Sequence, residues 1–142
     1  MAGGDAAPVL HRLDFRLFWN ECDPAGIVYF ASWFVWMERT QNEWMVERGL
    51  GPDTVQERFG GGFVAAHAAT DYISVAKAFD PLSCEMHLAR LGAGSVTHGF
   101  LLRNRVTGAD VARGRITLAW VVAGAAAPLP APVAHHWAST PT

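Results

Sequence analysis

The chain has 142 residues, of which 51% are hydrophobic and 17% charged, with a formal net charge of −2. That balance is globular, not disordered, and lacks the overall basic excess that would point to nucleic acid. No apolar run approaches the length of about 18 residues needed for a membrane-spanning helix, so one domain with a substantial core and no membrane partner is expected.

The two cysteines, Cys22 and Cys84, have no metal-ligand spacing and read as free thiols in a reducing compartment. The first eight residues lack the basic start and apolar segment of a signal peptide, so a cytoplasmic location is expected. Residues 1–10 read as a flexible tail, 11–123 as the domain and 124–142 as an Ala/Pro-rich tail with little structure of its own.

From His11 to Trp19 the pattern has period two. His11, Leu13, Phe15, Leu17 and Trp19 share one face; Arg12, Asp14 and Arg16 share the other. This predicts a half-buried strand. A loop rich in turn residues follows, with Asp23-Pro24 and Ala25-Gly26, and carries a lone carboxylate just ahead of a helix. Backbone N–H groups at a helix start are unpaired and lie at the positive end of its dipole. A reactive carbonyl can be held there beside a base or nucleophile.

The spacing predicts a helix from about Ala31 or Ser32 to Arg48. Trp33, Trp36, Met37, Thr40 and Trp44 form its apolar face, and Glu38, Arg39, Gln41, Asn42, Glu43 and Glu47 its polar positions. Gly49 and Pro52 supply the stop. A short helical turn at Asp53–Arg58 and a break at Gly60-Gly61-Gly62 come next. Strands are then predicted over Phe63–Val75, Cys84–Leu91, Ser95–Val106 and Val111–Val122. Val96, Phe100, Leu102 and Val106 are expected to point inward from one strand, and Ile116, Leu118, Trp120 and Val122 from the last. The order gives an α+β fold, a mostly antiparallel five-stranded sheet packed on one long helix.

That order, with Cys22-Asp23-Pro24-Ala25-Gly26-Ile27-Val28, two following aromatics and Trp36-Met37 in the helix, resembles the hotdog-fold acyl-CoA thioesterases, in particular the 4-hydroxybenzoyl-CoA thioesterase family. Ile27 stands where many relatives carry a histidine, which favours the aryl-CoA branch. Asp71-Tyr72 with Phe79-Asp80 is a weaker match. The layout is similar over residues 11–122, and the motif is specific over residues 20–45. The resemblance implies a hotdog fold with the sheet wrapped around a central helix. It also implies a homodimer or homotetramer with its active site at the dimer interface, and an acyl-CoA substrate with no separate cofactor.

By the same resemblance Asp23 attacks the thioester carbonyl or activates water, and the backbone N–H of Phe30 stabilises the oxyanion. Gly26, Ile27, Tyr29, His67 and Ser74 are the expected substrate contacts. From the residues alone, Asp23 reads more readily as the cap of its own turn than as a catalytic group, Glu21 as a solvated loop charge and Cys22 as a bystander. The six histidines form no metal-ligand pattern.

Arg103, Arg105, Arg113 and Arg115 share one parity in the last hairpin. Such like charges are unfavourable opposite each other unless an anion relieves them. With Arg90 they are the expected contacts of the coenzyme A phosphates, the plain alternative being a solvated face with surface ion pairs. The basic cluster that the resembled family carries after its third strand is replaced here by Gly92-Ala93-Gly94. Aromatic acyl-CoA hydrolysis is the leading expectation. The alternatives are a short- or medium-chain aliphatic acyl-CoA thioesterase and a non-catalytic acyl-binding or interaction protein.

Overall fold

The first strand, β1 (Val9–Arg16), starts two residues before its alternation predicts and buries Phe15. A single 3-10 turn (Trp19–Glu21) follows, and Trp19 is exposed. The structure, a computed structural model, describes residues 7–138. The remaining elements are α1 (Ser32–Glu47), α2 (Val55–Phe59), β2 (Gly62–Tyr72), β3 (Pro81–Leu91), β4 (Ser95–Asn104), β5 (Asp110–Val122), β6 (Ala125–Ala126) and α3 (Ala131–Ala138).

All strand pairings are antiparallel, in the order β1-β3-β4-β5-β2, with β6 added to the end of β5. Among the described residues the sheet thus has six strands, not five. The sixth arises where Ala123 and Gly124 take positive φ angles and fold the chain back on itself. Val106 and Val122, expected inward, are exposed because each lies at or beyond the end of its strand.

Helix α1 lays Trp33, Met37, Trp44 and Met45 against the sheet, touching β1, β2, β3 and β5. Trp36 stacks on Phe15, ring centroids 3.8 Å apart. Gly49, at φ 70°, ends the helix, and the N–H of Leu50 returns to the Met45 carbonyl. Gln41, expected on the solvent side, is buried, as is Thr40, whose hydroxyl donates to the Trp36 carbonyl.

The Ala/Pro-rich segment is not a structureless tail. Residues 131–138 form α3, in which Val133 and Trp137 fall one turn apart and are both buried. Proline is tolerated in a first turn because its missing N–H has no partner to lose there. The Trp137 ring sits 5.3 Å from that of Trp44 and 5.9 Å from that of Phe63. Gly61 permits a close approach on the same side, since a Cβ there would lie 2.5 Å from the Trp120 ring.

Strand β2 is an edge strand with β5 as its sheet neighbour, and Val64 through Ala69 are exposed. A bulge between Ala65 and His67 shifts its register against β5. No helix among the described residues is long and apolar enough to cross a membrane.

Candidate active site

The loop between the 3-10 turn and α1 is held by its own backbone. The Asp23 N–H donates to Ile27 at 2.9 Å, and the Gly26 N–H returns to Asp23 at 2.9 Å. Gly26 takes φ 79°, a left-handed conformation that closes this turn at little cost to glycine. One carboxylate oxygen of Asp23 accepts the Ala25 N–H at 2.8 Å. The other has no partner among the described residues and is open to a ligand. The loop is pinned to the segment after β2, with the Val28 N–H donating to Ala76 at 2.9 Å and Ile27 bridging to Lys77.

The helix entrance is arranged differently. Tyr29 and Ser32 anchor the chain to Glu21, through the Tyr29 N–H at 2.9 Å and the Ser32 hydroxyl at 3.1 Å. The N–H groups of Phe30 and Ala31, immediately before α1, meet no acceptor among the described residues. The Tyr72 hydroxyl donates to the Phe30 carbonyl at 3.0 Å, fixing the peptide on that side.

A cavity of about 380 Å³ joins these parts. Asp23, Ile27, Phe30, Trp33, Tyr72 and Ser74 are in its wall. It therefore sets a carboxylate and a helix N-terminus around one largely apolar space. A thioester carbonyl placed there would meet a base or nucleophile and a fixed positive dipole.

Ile27 and Ser74 lie in this wall. The Ser74 hydroxyl is committed to the Asp110 carbonyl at 2.7 Å. Three other expected contacts are elsewhere. Gly26 shapes the turn and is not in the wall. Tyr29 is exposed, with its ring 4.6 Å from that of Phe30. His67 is exposed on β2 opposite Thr117. Trp33 and Tyr72 are wall residues that sequence reasoning missed as such. For Tyr72 the signal is present in the Asp71-Tyr72 segment, but its partner lies 42 residues earlier in the chain.

The electrostatics separate the remaining candidates. Burial, then Glu21, Asp23 and Asp80, push the Cys22 thiol up, away from thiolate character. Glu21 uses its carboxylate on the Phe18 N–H at 3.0 Å.

The arginine stripe is partly neutralised from within. Arg103 pairs with Asp110 at 3.0 Å and Glu85 at 3.2 Å, and Arg113 pairs with Asp110 at 3.1 Å. Arg103, with Arg113, holds the Asp110 carboxyl below its ordinary value. The relieving anion expected from a ligand is thus supplied by the protein for these two. Arg105 donates to the Leu82 carbonyl at 3.1 Å, while Arg90 and Arg115 are exposed without an ion pair among the described residues. No cluster of three or more His, Cys, Asp or Glu among the described residues is set to hold a metal ion.

A sheet of this topology with a carboxylate loop feeding α1 defines the class to which the comparisons point. The family model of the thioesterase-like superfamily matches residues 17–137, and the chain belongs to that superfamily. It is a thioester hydrolase. A 4-hydroxybenzoyl-CoA thioesterase from Pseudomonas sp. (strain CBS-3) is 26% identical over 98 residues, 68% of this chain and 70% of that protein. The fold is shared with a 1,4-dihydroxy-2-naphthoyl-CoA thioesterase from Synechocystis, at TM-score 0.78 and 18% identity over 86% of this chain and 90% of the other. A thioesterase from Thermus thermophilus, complexed with coenzyme A and zinc, shares it at TM-score 0.77 and 24% identity, over 91% and 92% of the two chains. These neighbours carry the hotdog fold of the thioesterases.

Proposed function

We propose that this thioester hydrolase acts on an acyl-CoA with an aromatic acyl group, and that the Asp23 cavity is its reaction centre. The observation that carries the reading is the shared wall: Asp23 and Phe30 line one cavity, with the free Asp23 oxygen and the unpaired Phe30 N–H at the start of α1.

In the nucleophilic route the free Asp23 oxygen attacks the thioester carbon. The carbonyl oxygen becomes an oxyanion that accepts from the Phe30 N–H. The C–S bond breaks, coenzyme A leaves as the thiolate and is protonated, and water hydrolyses the mixed anhydride to free acid and Asp23. In the alternative route the same oxygen takes a proton from water, which attacks in its place. The aromatic preference is supported by the names of two relatives, the 4-hydroxybenzoyl-CoA and 1,4-dihydroxy-2-naphthoyl-CoA thioesterases.

Coenzyme A itself is favoured by the complex of the Thermus relative. The route for its long arm is a second groove of about 530 Å³ that shares Ser74 and Val75 with the cavity and leads past Lys77, Asn104 and Thr107. Lys77, the cation in this groove, is the proposed phosphate contact. Arg103 and Arg113 are occupied by Asp110 and Glu85.

The working form is proposed to be a homodimer joined through β2. An exposed edge strand of 11 residues leaves a row of unpaired backbone groups that a second copy can satisfy. Sedimentation equilibrium showing a monomer at assay concentration would remove this part.

Thiol release from 4-hydroxybenzoyl-, benzoyl-, phenylacetyl- and hexanoyl-CoA tests the whole reading. Wild type should favour the aryl substrates. Asp23→Asn should lose roughly 10²- to 10⁴-fold in kcat while keeping its oligomeric state. Undiminished turnover in that variant would refute the assignment of Asp23.

A further inference from the structure

A second cavity, of about 350 Å³, lies between α1, α2, β2 and β5 and shares no wall residue with the Asp23 cavity. Phe34, Phe63, Ile116 and Leu118 make it apolar. Its volume is in the range of about 300–1,000 Å³ typical of small-molecule sites. Gln41 is also in the wall, although only 3% of its surface is accessible.

The orientation of the Gln41 amide follows from a chain of donors. An indole N–H can only donate. The Trp137 Nε1–H lies 2.8 Å from His98 Nε2, so that nitrogen is the acceptor. His98 is fully buried and is held neutral, so its single proton is on Nδ1. Nδ1 lies 2.8 Å from Gln41 Oε1, and a protonated nitrogen there requires an acceptor. The carbonyl oxygen of Gln41 is therefore committed to His98. Its NH₂ group is turned away and has no partner among the described residues. That donor is left to meet an acceptor in the open space this residue borders, which is the cavity.

We infer that this cavity is a binding site for an uncharged aryl or short alkyl group bearing one oxygen acceptor, which Gln41 recognises through its NH₂ group. Trp137 is a positioning residue for Gln41, acting through His98. Glu38, one turn before Gln41 and Asn42 on α1, stands in the same wall and disfavours a carboxylate ligand by charge repulsion. Two sources fit this chemistry: the distal end of an acyl group being hydrolysed, or a free neutral molecule. The site itself does not depend on the Asp23 mechanism.

The test uses a matched pair of probes, acetophenone and α-methylstyrene, which share a shape and differ in a carbonyl against a methylene. Their dissociation constants are measured by protein-observed NMR on the full chain. Because hydration of the free probes is common to every variant, the ratio of the two constants reports the hydrogen bond alone. In Gln41→Met the preference for acetophenone should fall roughly threefold to tenfold relative to wild type, with α-methylstyrene binding retained. In Trp137→Phe the preference should fall in the same direction, since His98 is then free to change tautomer and release the amide. Ala68→Leu, which fills the wall, should weaken both probes.

An unchanged ratio in Gln41→Met, or no saturable binding of either probe to wild type, would overturn the inference. Competitive inhibition of aryl-CoA hydrolysis by acetophenone identifies the acyl group as the natural occupant. Binding without competition identifies a separate neutral ligand. Since binding is read without turnover, a failure here is distinct from a failure of the thioesterase assignment.

Discussion

The Tyr72 hydroxyl donates to the Phe30 carbonyl at 3.0 Å, so the end of the edge strand β2 holds the peptide that precedes α1. The N–H of the same residue is the donor proposed to meet the oxyanion. Removing the hydroxyl should loosen that donor without removing it. Tyr72→Phe is expected to lower kcat by roughly threefold to tenfold, the effect of one hydrogen bond, with KM little changed. An equal rise in KM with constant kcat would instead place Tyr72 in substrate binding.

The buried His98 gives the fold a pH dependence of definite sign. Burial, then His87, lowers its pKa from 6.5 to about 4. As pH falls from 6.5 to 4 the unfolded chain takes up a proton that the folded chain refuses. Stability is therefore lost across that window, by on the order of 3 kcal/mol from this residue. Denaturation midpoints measured between pH 7 and pH 4 should fall for wild type. His98→Leu should be less stable at pH 7, because Trp137 and Gln41 lose their partner, and should show a shallower decline.

Gly61 lies against Trp120 and the Val121 carbonyl. A methyl group at Gly61 would sit 2.5 Å from the tryptophan ring and 2.8 Å from that oxygen. Trp120 is only 1% exposed and cannot swing aside. Gly61→Ala is expected to cost about 1–3 kcal/mol, read as a lowered denaturation midpoint with an unchanged denaturant slope.

Lys77 and Arg103 should separate in kinetics. Lys77→Ala removes a cation in the groove that continues from the Asp23 cavity and should raise KM for acyl-CoA several-fold with kcat retained. Arg103→Ala removes a charge already paired with Glu85 and Asp110 and should leave KM unchanged. The reverse pattern would return the phosphate contact to the outer face of the sheet.

Much of the architecture is legible in the sequence because its periods are local. The alternation from His11 to Leu17 and the helical spacing from Trp33 to Trp44 each reflect one buried face, and both elements form. The Asp23 turn is legible for the same reason, being closed by hydrogen bonds within five residues. What stays hidden depends on distant partners. Gln41 reads as a surface residue of α1 until His98, 57 positions later, is placed beside it. The arginines share a parity, yet the carboxylates of Glu85 and Asp110 that meet them come from β3 and the start of β5. The alanines and prolines before Trp137 suggest a tail, although Val133 and Trp137 already stand at helical spacing. His67 falls outside the cavity it is expected to line, and a bulge beside it alters the register of β2.

The placement of Trp137 also sets the order in which the molecule can form. Its ring closes a space walled by Trp44 from α1, Phe63 from β2 and His98 from β4. A nascent chain emerging from the ribosome can pair β3, β4 and β5 and still leave that space wet, with the His98 imidazole exposed and free to ionise. Contacts of such long sequence separation carry a larger loop-closure cost. The core therefore seals only when the last helix docks, and truncation before residue 137 should trap a partly open chain prone to self-association.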